Sequence, residues 1–298
     1  MAVSVQDRLR DYTMEGNLWS YSSLSKYQNC AYSWYGRYIM QIQEPPSRAL
    51  VQGLICHSIL ESALINKRAP DHWEDAIRNM RMDVPDSDLV PDYMDPEMAA
   101  WLSSAWESKF HAQQEYIEQA FVMPISSKRG NPRPSISVVG VEAMLSSNVK
   151  YSWFKAKDML RAAGVDGIYA RPDWIGVDED KVTLVDWKTS AVKSYTTAQK
   201  VAGRYRGQVA LYLIALQRRF PAVPIESFIY LLPSVSMVNL SIEPADLPAM
   251  AASIADTIWS IKESAATGEL GFKKNPGDAC RFCPMAGNAN LCSDGADY

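Results

Sequence analysis

Residues 165–190 constrain this chain more than any other stretch. From 181 to 189 the sequence alternates: Val182, Leu184, Asp186 and Lys188 fall on one face, Thr183, Val185, Trp187 and Thr189 on the other. That is the two-residue period of a β-strand. Trp174, Ile175 and Val177 predict a second strand, with 178–180 as the polar turn between them. If Glu179-Asp180 is a two-residue hairpin loop, Asp178 pairs with Lys181 and Asp173 falls opposite Asp186. Glu-Asp is not a favoured loop of that kind, so a register one residue away stays open. Like charges directly opposite on a sheet destabilise it. A pair of carboxylates with Lys188 beside them therefore needs a reason, and a bound divalent cation such as magnesium is the simplest. Taken alone, the same pattern also fits a solvated hairpin with charged edges.

The rest of the composition narrows the setting. The chain has 298 residues, 47% hydrophobic and 21% charged, as in a globular protein. Its net charge of −4 means that a polyanionic partner would need a local basic groove. No apolar run reaches membrane-spanning length and the first residues lack a signal peptide's apolar core, so no membrane partner and a cytoplasmic location are expected. Thiols stay reduced there, so the five cysteines point to metal ligation or burial.

Ser22 or Ser23 is the expected N-cap of a first helix, which carries Leu24, Tyr27, Ala31, Trp34, Tyr35 and Tyr38 at helical spacing, with Cys30 among them. A second helix is predicted over about 48–66, where Gly53, His57 and Glu61 share one face and Gly53 lets the sheet approach closely. Residues 70–135 read as a helical insertion that ends in a basic linker with Lys128, Arg129 and Arg133. Further strands are predicted at 138–145 (with Glu142 inside), 228–232 and 237–242. Helices are predicted at 205–220, where Gln208 and Tyr212 share a face, and at 246–266. The whole reads as a single domain, 1–298, closed by a cysteine-rich tail, 271–298.

That tail places Cys280, Cys283 and Cys292 in a C-x2-C-x8-C pattern. Two cysteines two residues apart can hold one metal from a tight turn. The tail has too little apolar content to fold alone, so a metal staple makes physical sense. Cys30 is the chosen fourth ligand, because Cys56 reads as a small core residue. Zinc and a [4Fe–4S] cluster both fit, and spacing does not decide between them. Lys193, Lys200, Arg204 and Arg206 precede the Gln208/Tyr212 face and suit contact with a nucleic-acid backbone.

In this order the motifs resemble the RecB-like, iron–sulfur branch of the PD-(D/E)XK nucleases, including the AddB-type helicase–nucleases and the CRISPR adaptation nucleases. Tyr21 through Cys30 looks like the opening S-x-L-x-x-Y-x-x-C helix, and Gly53-x3-His57 like the G-x3-H helix. Arg171-Pro-Asp173 resembles the first acidic motif, with Ala170 where the family usually has Gly. Asp186-Trp-Lys188-Thr189 resembles D-[YFW]-K-[TS], and Gln208-x3-Tyr212 the Q-x3-Y helix. The last cysteine gap, eight residues, is longer than is usual there.

The resemblance implies an α/β, restriction-endonuclease-like core: a mixed central sheet flanked by helices, with the site at one edge. It implies that His57, Asp173, Asp186 and the Trp187 carbonyl bind Mg2+ or Mn2+. Asp173, Asp186, Lys188 and Glu61 would be the catalytic set, with Glu61 holding His57 or a water. Gln208, Tyr212, Arg204 and Arg206 would bind DNA, and Cys30, Cys280, Cys283 and Cys292 would hold a [4Fe–4S] cluster. The implied activity is a DNA exonuclease of recombination, repair or replication, acting on ends, single strands or resected duplex. No helicase phosphate-binding loop occurs, so the chain stands alone or serves a helicase or recombination partner. The alternative is a catalytically weak DNA-end-binding subunit of a larger complex.

Overall fold

The computed structural model describes residues 18–42, 53, 57, 137–141, 145–148, 167–170, 172–177, 181–190, 192–219, 224–231, 236–288 and 290–293. Glu61, the 70–135 insertion with its basic linker, Glu142, Arg171 and the hairpin loop 178–180 lie outside these residues.

Two sheets organise the described residues. The larger has the order β2 (Ser137–Val141), β5 (Trp174–Val177), β6 (Val182–Lys188), β7 (Ile225–Leu231), β8 (Ser236–Asn239). All neighbours are antiparallel except β6 and β7, which run parallel, so the sheet is mixed. The smaller sheet has the order β1 (Leu18–Trp19), β4 (Gly167–Ala170), β3 (Leu145–Asn148). The strand expected over 138–145 is therefore two strands in different sheets. In the hairpin, Val177 pairs with Val182 and Trp174 with Val185, which is the register that sets Asp173 across from Asp186. Strand β6 is central and is buried on both faces from Val182 to Trp187. Its alternation thus separates two covered faces, not core from solvent.

Helices α3 (Tyr195–Gly203) and α4 (Arg206–Arg219) make the crossover between the parallel strands β6 and β7. Residues 209–216 of α4 are all buried. A helix apolar all round belongs inside a protein, and α4 packs against β3, β4 and α5 (Leu247–Thr267). Asp246 opens α5 without a side-chain cap bond, because its carboxylate takes Arg206 at 2.9 Å instead. Gly268 ends α5 at φ +77°, a backbone conformation that L side chains rarely adopt.

The expected single N-terminal helix is broken. Helix α1 (Tyr21–Asn29) is capped by Ser20, whose side chain accepts from the Ser23 amide at 3.3 Å, so neither Ser22 nor Ser23 is the cap. Cys30 is extended (φ −161°, ψ 112°) and separates α1 from α2 (Ala31–Tyr38). Its Sγ accepts from the Ser33 amide at 3.4 Å, an N-cap made by a thiol. The apolar spacing runs straight through this break because the cause lies elsewhere in the chain: the Tyr32 amide donates to the Lys273 carbonyl at 3.1 Å.

Candidate active site

The site lies at the carboxyl end of the central strand, not at an edge of the sheet. Partner strand β5 stops at Trp174, opposite Val185, while β7 continues alongside to Lys188. Beyond that stop, the Asp173 side chain accepts the Trp187 amide at 2.5 Å through Oδ2. Its Oδ1 stands 3.0 Å from His57 Nδ1. The other ring nitrogen of His57 faces the Trp187 carbonyl at 3.1 Å. Gly53 belongs to the same helical segment, and a methyl there would meet Thr189 Oγ1 at 3.7 Å. That is ordinary van der Waals contact.

Asp186 is 1% exposed. Its Oδ1 is 3.3 Å from both Gln208 Nε2 and the Tyr212 hydroxyl, and the two donors are themselves linked. Its Oδ2 is ion-paired with Lys188 Nζ at 2.5 Å and has no other partner among the described residues. Burial pushes the Asp186 carboxyl up to about 6, and the Asp173 charge adds to the rise; Lys188 and His57 oppose it. Burial lowers the Lys188 value, but Asp186 and Asp173 outweigh it and leave it raised. Lys188 also lies 4.6 Å over the Tyr205 ring, a partner that the linear sequence gave no reason to single out.

Burial, followed by the Asp186 charge, holds the Tyr212 hydroxyl well above the usual tyrosine range. Tyr212 is 5% exposed, and its hydroxyl donates to the Asp186 carboxylate. Gln208, half-buried, does the same. Arg206 is tied to Asp246 and to the Ser241 carbonyl, whereas Arg204 is exposed at the end of α3. Glu61 lies outside the described residues.

The donor chemistry fits a hard divalent cation: two carboxylates, an imidazole and a main-chain carbonyl, with one buried carboxylate oxygen that meets only the Lys188 ammonium among the described residues. Among the described residues these donors are linked in a row, and no three His, Cys, Asp or Glu side chains form a ready-made metal cage.

A model of one nuclease family matches residues 18–287, most of the chain and all of the site just described. The chain belongs to the PD-(D/E)XK nuclease superfamily. No curated protein matches the sequence at a significant level.

The four described cysteines form no disulfide with one another, are half-buried and are grouped around a cavity of about 170 Å³ that Ser33, Met285 and Phe282 also line. Cys280 lies in a short 3-10 turn, Asp278–Phe282, and accepts the Gly277 amide at 3.4 Å. Cys283 Sγ is 3.7 Å from Ser33 Oγ. Apolar packing also seats this tail: Phe272 stacks on Tyr35 (4.9 Å) and Trp34 (5.5 Å), and Met285 is 2% exposed over Gly36. A Cβ at Gly36 would meet Met285 Sδ at 2.3 Å. The deficit of apolar content that made a metal staple the expectation is met in part by these two side chains.

Proposed function

We propose that this superfamily member is a DNA exonuclease that hydrolyses phosphodiester bonds during recombination, repair or replication in the cytoplasm. The observation that carries the reading is the buried Asp186 carboxylate, flanked by Asp173 and Lys188 at the end of one central strand. Asp173, Asp186, His57 and the Trp187 carbonyl would hold Mg2+ or Mn2+, which supplies Lewis-acid stabilisation of phosphate charge and activates water. Lys188, held by Asp186 and the Tyr205 ring, orients the attacking water or stabilises negative charge in the transition state. Gln208 and Tyr212 fix the Asp186 carboxylate. Glu61 would hold His57 or a water. Among the described residues no helix is long and apolar enough to cross a membrane.

In the same reading Cys30, Cys280, Cys283 and Cys292 hold a [4Fe–4S] cluster, with zinc as the alternative. What supports it is four cysteines around one cavity, two of them accepting backbone amides, as cluster sulfurs do. Anaerobically purified protein should then be brown and contain iron. A colourless protein with one tightly held zinc would replace the cluster and keep the staple.

Nuclease action is tested by incubating end-labelled single-stranded, duplex and circular DNA with the protein and Mn2+, with Lys188→Ala alongside. Loss of linear but not circular DNA, absent in the variant, is the expected result. Cleaved circles would make it an endonuclease. Binding of ends without cleavage would favour a DNA-end-binding subunit of a larger complex.

A further inference from the structure

Residues 187–225, which follow Asp186 and run to the strand β7, contain Lys188, Lys193, Lys200, Arg204, Arg206, Arg218 and Arg219 and no Asp or Glu at all. The chain as a whole has 34 acids against 30 such cations, so this stretch reverses the overall balance. Two of its cations are committed: Lys188 to Asp186 and Arg206 to Asp246. Lys193, Lys200 and Arg204 are exposed and form no ion pair with any described residue.

Helix α3 sits in the middle of this stretch. Ala198 and Ala202, both 0% exposed, fix its inner face and put Lys200 on the opposite one, while Tyr195, three residues before Ala198, stands on their side at the exposed first turn. The C-terminal end of the helix is tied to the site. Tyr195 begins it seven residues after Lys188, and Tyr205, just past its end, lies under the Lys188 ammonium. The Tyr195 ring is 60% exposed. A lone exposed ring is ordinary, but this one differs from the other large exposed apolar side chains described. Trp259 is bonded to Glu263, Leu270 follows Glu269, and Phe282 follows an Asp278–Arg281 pair. Tyr195 alone of these lies among unpaired cations with no acid near it in sequence.

We infer that Tyr195 is a strand-positioning residue: it stacks on an unpaired base of the substrate while Lys193, Lys200 and Arg204 neutralise the neighbouring phosphates. The inference rests on the nucleic-acid reading of the site and makes it specific to single strands. Aromatic stacking on a base is sequence-tolerant and needs an open base face, which a duplex hides. A cationic surface free of acids attracts any polyanion, so phosphate contact alone would not distinguish the two forms; the ring does. From Tyr195 to Lys200 α3 rises about 7 Å and turns by about 140°, so a strand stacked on the ring reaches the lysine, and then Arg204 at the end next to Tyr205, by crossing the helix.

The test uses the full chain in chelator, so that binding is read without cleavage. The probes are a fluorescent single-stranded DNA of about 15 nucleotides, the same DNA with one abasic position moved along it, and a blunt hairpin duplex. Tyr195→Ala should weaken single-strand binding by about 5- to 150-fold, the stacking of one base, and leave duplex binding unchanged. Tyr195→Phe should bind as the wild type does, because stacking does not use the hydroxyl. One abasic position should weaken the wild type and have no effect in Tyr195→Ala. Replacing Lys193, Lys200 and Arg204 by Ala should lower the slope of log affinity against log salt by about 2.

Equal loss on both DNA forms, or an abasic effect that persists in Tyr195→Ala, would overturn the inference. So would wild-type binding by Tyr195→Ala in a protein that cleaves DNA. If instead no DNA is cleaved with Mn2+ but Tyr195→Ala still loses single-strand binding, the inference stands and the nuclease reading falls.

Discussion

Asp186 is 1% exposed and reached by three side chains, whereas the four described cysteines are half-buried, and Cys30, Cys280 and Cys283 meet a backbone amide or a hydroxyl. The two regions are built differently. The carboxylates are placed by sheet register: β5 ends one residue short of Asp173, and that early stop frees the Trp187 amide that Asp173 binds. The thiols are placed by aromatic stacking and short turns around Phe272 and Met285. Charges buried at the end of a central strand cannot shift without breaking the ladder. Half-exposed thiols on a docked tail can adjust to what they bind. The comparison separates loss of chemistry from loss of docking.

The largest expected effect is chemical. Asp186→Ala or Lys188→Ala should lower DNA cleavage by at least about 100-fold, the scale of losing one preorganised charge in a transition state. The cysteine tail should be untouched, which limited proteolysis checks. Cleavage at the wild-type rate by either variant would remove the site assignment. Next comes the tail itself. Phe272→Ala empties a 3% exposed position between Tyr27, Trp34 and Tyr35 and should cost about 3–5 kcal/mol, seen as early unfolding of the tail under denaturant. A single unchanged transition would mean that the stack does not hold the tail.

His57→Ala should reduce activity by about 10- to 100-fold and raise the Mg2+ requirement. Unchanged metal dependence would leave His57 a packing residue. The pH profile sharpens the same point with a smaller effect. The Asp186 carboxyl is raised from 3.8 to about 6, so the folded protein holds this proton more tightly than the unfolded chain. In chelator, stability from this group is therefore full below about pH 4 and is lost as pH rises through about 6. A cation competes with that proton. The Mg2+ concentration for half-maximal thermal stabilisation should rise about tenfold per pH unit below 6 and level off above it. A flat dependence from pH 5 to 8 would place the cation elsewhere.

Much of the site was legible because it is local. Asp173, Asp186 and Lys188 sit on one hairpin whose alternation sets their register, and the observed pairing is that register. What stayed hidden depends on distant partners. Nothing in the spacing of Leu24, Tyr27, Ala31 and Trp34 marks a break at Cys30; the Lys273 carbonyl that takes the Tyr32 amide lies near the other end of the chain. Gln208 and Tyr212 were recognisable as a pair, but only packing shows that they turn inward to Asp186. Residues 138–145 read as one strand because composition does not show that Val141 and Leu145 join different sheets.

The joint at Cys30 has a consequence for the order in which this molecule is made. Tyr27 bonds the Ser260 carbonyl and the Ser264 hydroxyl, 233 and 237 residues later, and Tyr32 waits for Lys273 and Glu269. A ribosome therefore releases helices α1 and α2 long before it has made the surface that completes them. Contacts so far apart in sequence form slowly, and synthesis favours whatever folds first. These two helices emerge early yet are among the last described elements to reach their final packing, and until then their Tyr and Trp side chains are open to chaperones and to neighbouring nascent chains.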